Sequence, residues 1–225
     1  MVEVKDLLDL NYTIAKDLFE SVTYPWEVYD LLDDYIKKLG RTLDENIYEK
    51  IGEDIWVAKS AKIAPTACLN GPLIVDEDAE VRHCAFVRGC AIVGKGATVG
   101  NSTELKCVVL FDGVQVPHYN YVGNAVLGHK SHMGAGSITS NLKSDKSPVS
   151  VKGIPTEDGG YTEIKTGLKK FGAILGDDVE VGCNSVLNPG TVIGKNSHIY
   201  PLSMVRGYVP AGSIYKKQGE VVEIK

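Results

Sequence analysis

Branched apolar residues recur at every sixth position through the middle of this chain. They fall at Val57, Ile63, Leu69, Val75, Val81, Val87, Val93, Val99 and Leu105, without a slip. Four residues after these stand Ala61, Ala67, Leu73, Ala79, Ala85, Ala91, Ala97 and Thr103, so a second position is small in all but one case. The pattern returns at Leu175, Val181, Leu187, Ile193, Ile199 and Val205, with Val179, Ser185, Thr191, Ser197 and Ser203 in the second position. A period of six matches neither the 3.6 of an α-helix nor the 2 of a simple strand. It predicts a solenoid in which each short strand supplies one large inward side chain, a tight turn follows, and three strands close a coil of about eighteen residues. Residues one coil apart then stack at the interstrand spacing of ~4.8 Å. An ordinary sandwich of alternating strands would not keep one six-residue phase through two separate blocks.

Outside the repeat, residues 3–50 read as helical. DLLDLNYTIAKDLFESV and, after Pro25, WEVYDLLDDYIKKLG carry apolar residues at three- and four-residue steps, with Pro25 as a start signal and Gly40 as a stop. The expected architecture is therefore mainly β, a parallel β-helix over residues 53–225 with an N-terminal helical arm over residues 1–52. A solenoid needs its open end covered, and the arm is expected to act as that cap. Between about residues 143 and 170 the six-residue phase lapses, and SPVSVKGIPTEDGGYTEIKTG reads as two short strands joined by a turn at Pro155 to Gly160. A long excursion within a compact repeat points to function.

Composition narrows the class. The 225 residues allow one well-buried core and a modest appendage. The net charge of −5 is made of both signs interspersed, with no basic field to neutralise a phosphate backbone, so nucleic acid is not expected as a partner. MVEVKDLLDL lacks the basic flank and apolar core of a signal peptide, and no apolar run approaches the ~20 residues that span a bilayer. The five cysteines contain no CxxC pair, and their odd number argues against a closed disulfide framework. These features predict a soluble, cytoplasmic protein without a membrane partner.

Stacking arithmetic singles out one exposed column. Lys106 stands eighteen after Arg88 and Asn124 eighteen after Lys106; allowing for one short hexapeptide from Val122 to Leu127, the next coil brings Asn141 near Asn124. Two cations rooted ~5 Å apart either splay into water or share an anion. Beside this column runs VPHYNYVGNAVLGHKSHMGAGSITSN, with His118, Tyr121, His129 and His132 close together. These histidines admit a metal site, a solvated set, or a general base at His118. The HxxH spacing of His129 and His132 departs from the HxxxxH of zinc-binding β-helices, so no metal is assigned.

GNSTELKCVVL, GVQVPHYNYVGNAVLG and HMGAGSITSN together resemble the C-terminal acetyltransferase domain of bifunctional N-acetylglucosamine-1-phosphate uridyltransferases. GLKKFGAILGDDVEVGCNSVLNPGTVIG resembles the acetyltransferase half of archaeal-type sugar-1-phosphate nucleotidylyltransferases. The likeness covers roughly residues 55–210. It implies a left-handed coil, although the general crossover rule favours the right hand. It also implies acetyl-CoA as co-substrate, an amino-sugar 1-phosphate as acceptor, and a homotrimer with sites shared between subunits. By position, the resemblance makes His118 the base that deprotonates the amino group. It sets Arg88, Lys106 and Tyr121 at the sugar phosphate, Asn141 near the sugar or acetyl group, and Ala135 and Cys183 along the acetyl-CoA channel. Cys183 replaces a customary serine, His132 an asparagine and Asn124 an aspartate, which bears on substrate preference. Glu104 is grouped with the acceptor-binding residues and is a candidate to orient His118. The oxyanion donor is either the Asn141 amide or a backbone N–H of the GAG turn. The fifty residues before the solenoid hold no glycine-rich nucleotide loop, so no nucleotidyltransferase domain is expected in this chain. The alternative is a non-catalytic oligomerisation or regulatory solenoid that partners a separate nucleotidyltransferase; such a scaffold would need only the inward positions.

Overall fold

The structure, a computed structural model, describes residues 1–217 and 220–223. It is a left-handed parallel β-helix of about nine turns with a helical arm along its side. The register follows the six-residue pattern. Val57 pairs with Val75 and Val75 with Val93; Ile63 pairs with Val81 and Val81 with Val99; Leu69 pairs with Val87 and Val87 with Leu105. The three columns fill the coil interior, where Val75, Val87, Val93, Val99 and Leu105 are wholly buried. Each such side chain contributes roughly 1.5–3 kcal/mol. At several second inward positions a hydroxyl bonds a backbone carbonyl, Thr103 to Val116, Ser197 to Pro210 and Ser203 to Tyr200, which satisfies it inside an apolar core. Ser131, in the equivalent place, is buried without a hydrogen-bond partner.

The coil has three faces. One comprises Leu73–Val75, Ala91–Val93, Ala173–Leu175 and Thr191–Ile193 together with the ends of Glu104–Leu110 and Tyr121–Leu127. A second runs through Glu80–Val81, Thr98–Asn101, Gln115–His118, His132–Met133 and Glu180–Val181. The third holds Phe86–Val87, the beginnings of Glu104–Leu110 and Tyr121–Leu127, then Ile138–Thr139 and Val186–Leu187.

The arm does not close an open end, as the sequence led us to expect; it lies along the first face. The reason is a column of outward-pointing apolar residues on that face. Ile74, Ile92, Val109, Val126, Ile174 and Val192 alternate with inward neighbours, so they face away from the coil interior, yet all are fully buried. Helix Leu32–Gly40 packs against Leu73–Val75 and Ala91–Val93, and the 3-10 turn Pro25–Asp30 packs against Tyr121–Leu127. Phe19 meets Phe111 edge-on at 5.2 Å, and the Leu7 carbonyl accepts from the Asp177 amide. At the other end Gly40 is required, because a Cβ there would lie 2.3 Å from the Trp56 ring.

The arm is also less helical than its periodicity suggests. It breaks into Val4–Leu7, Leu10–Tyr12, Lys16–Glu20, Pro25–Asp30 and Leu32–Gly40. Asp9 caps the Asn11 amide and the Thr13 hydroxyl accepts from the Ala15 amide, local bonds that compete with a continuous helix. Tyr48–Gly52 then pairs antiparallel with Ile55–Ala58, so a boundary drawn at residue 52 falls inside a β-hairpin.

The excursion does form two strands, Ser150–Pro155 and Tyr161–Lys165, and a bridge between Leu142 and Lys170 closes its base. Its root packs onto the coil, with Val149 and Val151 buried, rather than standing free. Cys90 and Cys107 stack on successive coils with Cα atoms 4.7 Å apart and their sulfurs adjacent, a single close pair that does not amount to the disulfide framework the cysteine count argued against. Cys68, Cys84 and Cys183 are free. No helix among the described residues is long and apolar enough to cross a membrane.

Candidate functional site

Two corners of the coil flank the third face, and the polar residues divide between them. At the corner entering that face, His118 pairs in register with Asn101, and the Gly136 amide donates to the His118 carbonyl. The Asn184 amide in turn donates to Ala135, and the Leu202 amide to Cys183. His118, Ala135 and Cys183 therefore stack in that order along one edge.

Asn120, buried next to this edge, fixes the position of His118. Its Oδ1 accepts from the His118 amide at 3.0 Å, while its Nδ2 donates to the carbonyls of Gly134 and Ser137. Tyr119 between them adopts φ 52°, the left-handed turn conformation that recurs round the coil at residues such as Cys84, Ser102, Lys130 and Asn184. The sequence reading missed Asn120; its only signal was a polar residue at the small inward position. Gly100 lies beneath, and a Cβ there would sit 1.6 Å from the Pro117 carbonyl.

Across the face stand the acceptor candidates. Arg88 Nε donates to Glu104 Oε1 at 2.6 Å. Glu104 is in register with Tyr121 and accepts from Arg88 rather than meeting His118, so its part as an orienter of the base is not supported by the geometry. The stacking arithmetic also needs a correction. The hexapeptide from Leu105 to Leu110 is one residue short, so Lys106 pairs with Gly123 rather than Asn124. Asn124 falls one position further round the corner at φ 46°. The second short hexapeptide was read correctly: Asn141 Nδ2 donates to Asn124 Oδ1 at 2.8 Å and to Tyr121 Oη at 3.3 Å. Gly123 leaves room for that bond, since a Cβ would meet both Tyr121 Oη and Asn141 Nδ2.

The charges on this face are unbalanced. Burial, then the nearby Lys170 ammonium and Arg88, push the Lys106 pKa below the ordinary lysine value. Burial, then the charge of Glu104, raises the Tyr121 phenol above its usual value, so it stays protonated and can donate. Lys170 was missed because it lies at the end of the irregular excursion, where no repeat phase fixes its place. Three cations with one carboxylate among them leave this face with a net positive charge.

The other histidines have structural partners. His129 stacks on Tyr12 at 3.7 Å and its Nδ1 meets the Asp112 carbonyl; His132 Nδ1 lies 2.7 Å from Glu180 Oε2.

Coil, register and polar edge define a hexapeptide-repeat domain of the acetyltransferase type. The chain belongs to the family described as the GMPPB C-terminal domain, whose pattern matches residues 69–198. It is similar to the bifunctional protein GlmU of Methanococcus maripaludis, 29% identical over 99% of this chain and 54% of that protein. It is also similar to the bifunctional sugar-1-phosphate nucleotidylyltransferase/acetyltransferase of Sulfurisphaera tokodaii, 30% identical over 66% of this chain and 40% of the other. The chain thus spans about half the length of the curated relatives it matches. Among solved structures, the hexapeptide transferase family protein from Anaplasma phagocytophilum aligns with a TM-score of 0.40 at 14% identity, covering 75% of this chain and 78% of that one.

Proposed function

We propose that this protein is an acetyl-CoA-dependent N-acetyltransferase whose acceptor is an amino-sugar 1-phosphate. The observation that carries the reading is the convergence of Arg88, Lys106 and Lys170 on the face next to His118, whose edge continues through Ala135 and Cys183. A phosphate dianion would neutralise the cations, and Tyr121 and Asn141 would hold the sugar between phosphate and base. The names of the relatives, GlmU and a sugar-1-phosphate nucleotidylyltransferase/acetyltransferase, favour the same class of acceptor.

Acetyl transfer to an amine needs a neutral nucleophile, a positioned thioester and a donor for the oxyanion. The acceptor ammonium loses one proton to solvent; as the neutral nitrogen bonds the thioester carbonyl carbon His118 takes the second, and when the C–S bond breaks His118 gives that proton to the departing thiolate of coenzyme A. The Asn141 amide already donates to Tyr121 and Asn124. In the GAG turn, the Gly134 and Gly136 amides donate to Val181 and His118. The Ala135 N–H is therefore the oxyanion donor in this reading. The active unit is a homotrimer in which neighbouring subunits complete each site.

Glucosamine, galactosamine and their 1-phosphates, each incubated with acetyl-CoA and protein, test the proposal by product mass. Acetylation of a 1-phosphate in preference to the free sugar supports it. Acetylation of neither 1-phosphate overturns it.

A further inference from the structure

Lys170 owes its place to a strap, residues 170–172, that returns from the excursion across the corner of the third face. The strap is fixed by backbone bonds on both sides of the site: the Phe171 amide donates to the Asn141 carbonyl at 3.0 Å and the Gly172 amide to the Asn124 carbonyl at 2.8 Å. Its approach is so close that a Cβ on Gly172 would lie 2.2 Å from the Gly123 carbonyl. The Lys170 ammonium lies near enough to Lys106 to help hold its pKa below the ordinary value. The next side chain, Phe171, is wholly buried beneath the arm, 5.4 Å from the Trp26 ring and 5.9 Å from the Tyr29 ring. Adjacent residues of an extended segment point in opposite directions, so holding Phe171 on one side aims Lys170 on the other.

We infer that the N-terminal arm is a positioning element for the anion site, with Trp26 and Tyr29 clamping Phe171 and thereby holding Lys170 beside Lys106. The arm then has a task beyond covering the apolar column. The burial of the Tyr29 hydroxyl without a hydrogen-bond partner fits a residue kept for its ring. An unpaired buried hydroxyl costs stability, and Tyr29→Phe removes it while keeping the clamp. The inference rests on the proposed acceptor site for its functional consequence, but its structural content can be read without catalysis.

The test uses Tyr29→Leu, Tyr29→Phe and Lys170→Ala in the full chain. The first readout is the titration of the Lys106 ammonium, followed by NMR of labelled lysine side chains. Its neighbours are Lys170, Arg88 and Glu104. Tyr29→Leu and Lys170→Ala should both move this titration up toward the ordinary lysine range, and Tyr29→Phe should leave it in place. The second readout is KM for glucosamine 1-phosphate, which should rise about tenfold in Tyr29→Leu with kcat nearly unchanged, as expected for one lost charge-assisted contact. Tyr29→Phe should restore the wild-type value. An unmoved Lys106 titration in a cooperatively folded Tyr29→Leu overturns the clamp, whatever the activity. A shifted titration in a protein that acetylates no amino-sugar phosphate supports the clamp and defeats only the functional reading. Should Tyr29→Leu fail to fold, Phe171→Leu takes its place with the same expected outcomes.

Discussion

Replacing Lys106 with Met separates binding from stability, because the side chain is held among charges of its own sign. Lys170 and Arg88 are close by, while Glu104 is already bonded to Arg88. Two unit charges 4 Å apart repel by ~1 kcal/mol at the dielectric of water and by ~4 kcal/mol at an effective value of 20. Lys106 is only half-buried, so the lower figure applies. Lys106→Met should thus leave the free protein as stable as wild type or stabilise it by up to about 1 kcal/mol. The same change removes one charge-assisted bond to phosphate, worth ~1.5–3 kcal/mol, or about 10- to 150-fold in KM for the phosphorylated acceptor. The folded-state pKa of Lys106 lies below its unfolded value, so its destabilising contribution is present in full at neutral pH. It fades as pH rises through the folded value toward the ordinary lysine range. Any stability advantage of the Met variant should shrink with it. Urea melts at pH 7 and at alkaline pH, together with kcat and KM for glucosamine 1-phosphate and glucosamine, give the whole comparison. Equal KM increases for both acceptors, or a loss of more than about 1 kcal/mol in stability at pH 7, would refute the reasoning.

Three further outcomes follow from the geometry. Gly100→Ala should lower turnover more than it changes coenzyme A affinity, since its Cβ would strike the Pro117 carbonyl and displace His118; normal turnover would show that the His118 corner tolerates the shift. Leu105→Ala, at a wholly buried inward position, should cost about 2–5 kcal/mol in urea unfolding, and a loss below 1 kcal/mol would contradict the packing described. His129→Ala should lower stability through its lost Tyr12 stack and Asp112 bond while leaving kcat within about twofold; a large kcat loss would place it in the chemistry.

The inward columns were legible because burial imposes a strict period, and a single slip would turn a hydrophobic residue outward. That is why Val57 through Leu105 gave the register residue by residue. The arm's location was legible only in part. Ile74, Ile92, Val109 and Val126 lie beside the inward positions and look like more core, so their outward column did not announce itself as a docking face. The short hexapeptide from Leu105 to Leu110 escaped notice for a related reason: Val108, Val109 and Leu110 are all apolar, and any of them can pass for the inward residue. The cost was the misplacing of Asn124 against Lys106. The period singled out Arg88 and Lys106 as a column, and His118 as one of several readings of the histidines, but their roles and that of Tyr121 drew on resemblance. Lys170 and Asn120 were invisible to both, one lying on an irregular strap and the other doing its work from within the coil.

The most direct test of the account is thiol release from acetyl-CoA with glucosamine 1-phosphate or galactosamine 1-phosphate, wild type and His118→Ala side by side across pH. The account predicts acceptor-dependent release by wild type. It also predicts a kcat about 10²–10⁴ lower in His118→Ala, partly recovered at higher pH as the acceptor amine becomes neutral, with coenzyme A affinity unchanged. Wild-type turnover by His118→Ala, or no acceptor-dependent release by wild type with either sugar phosphate, would contradict it.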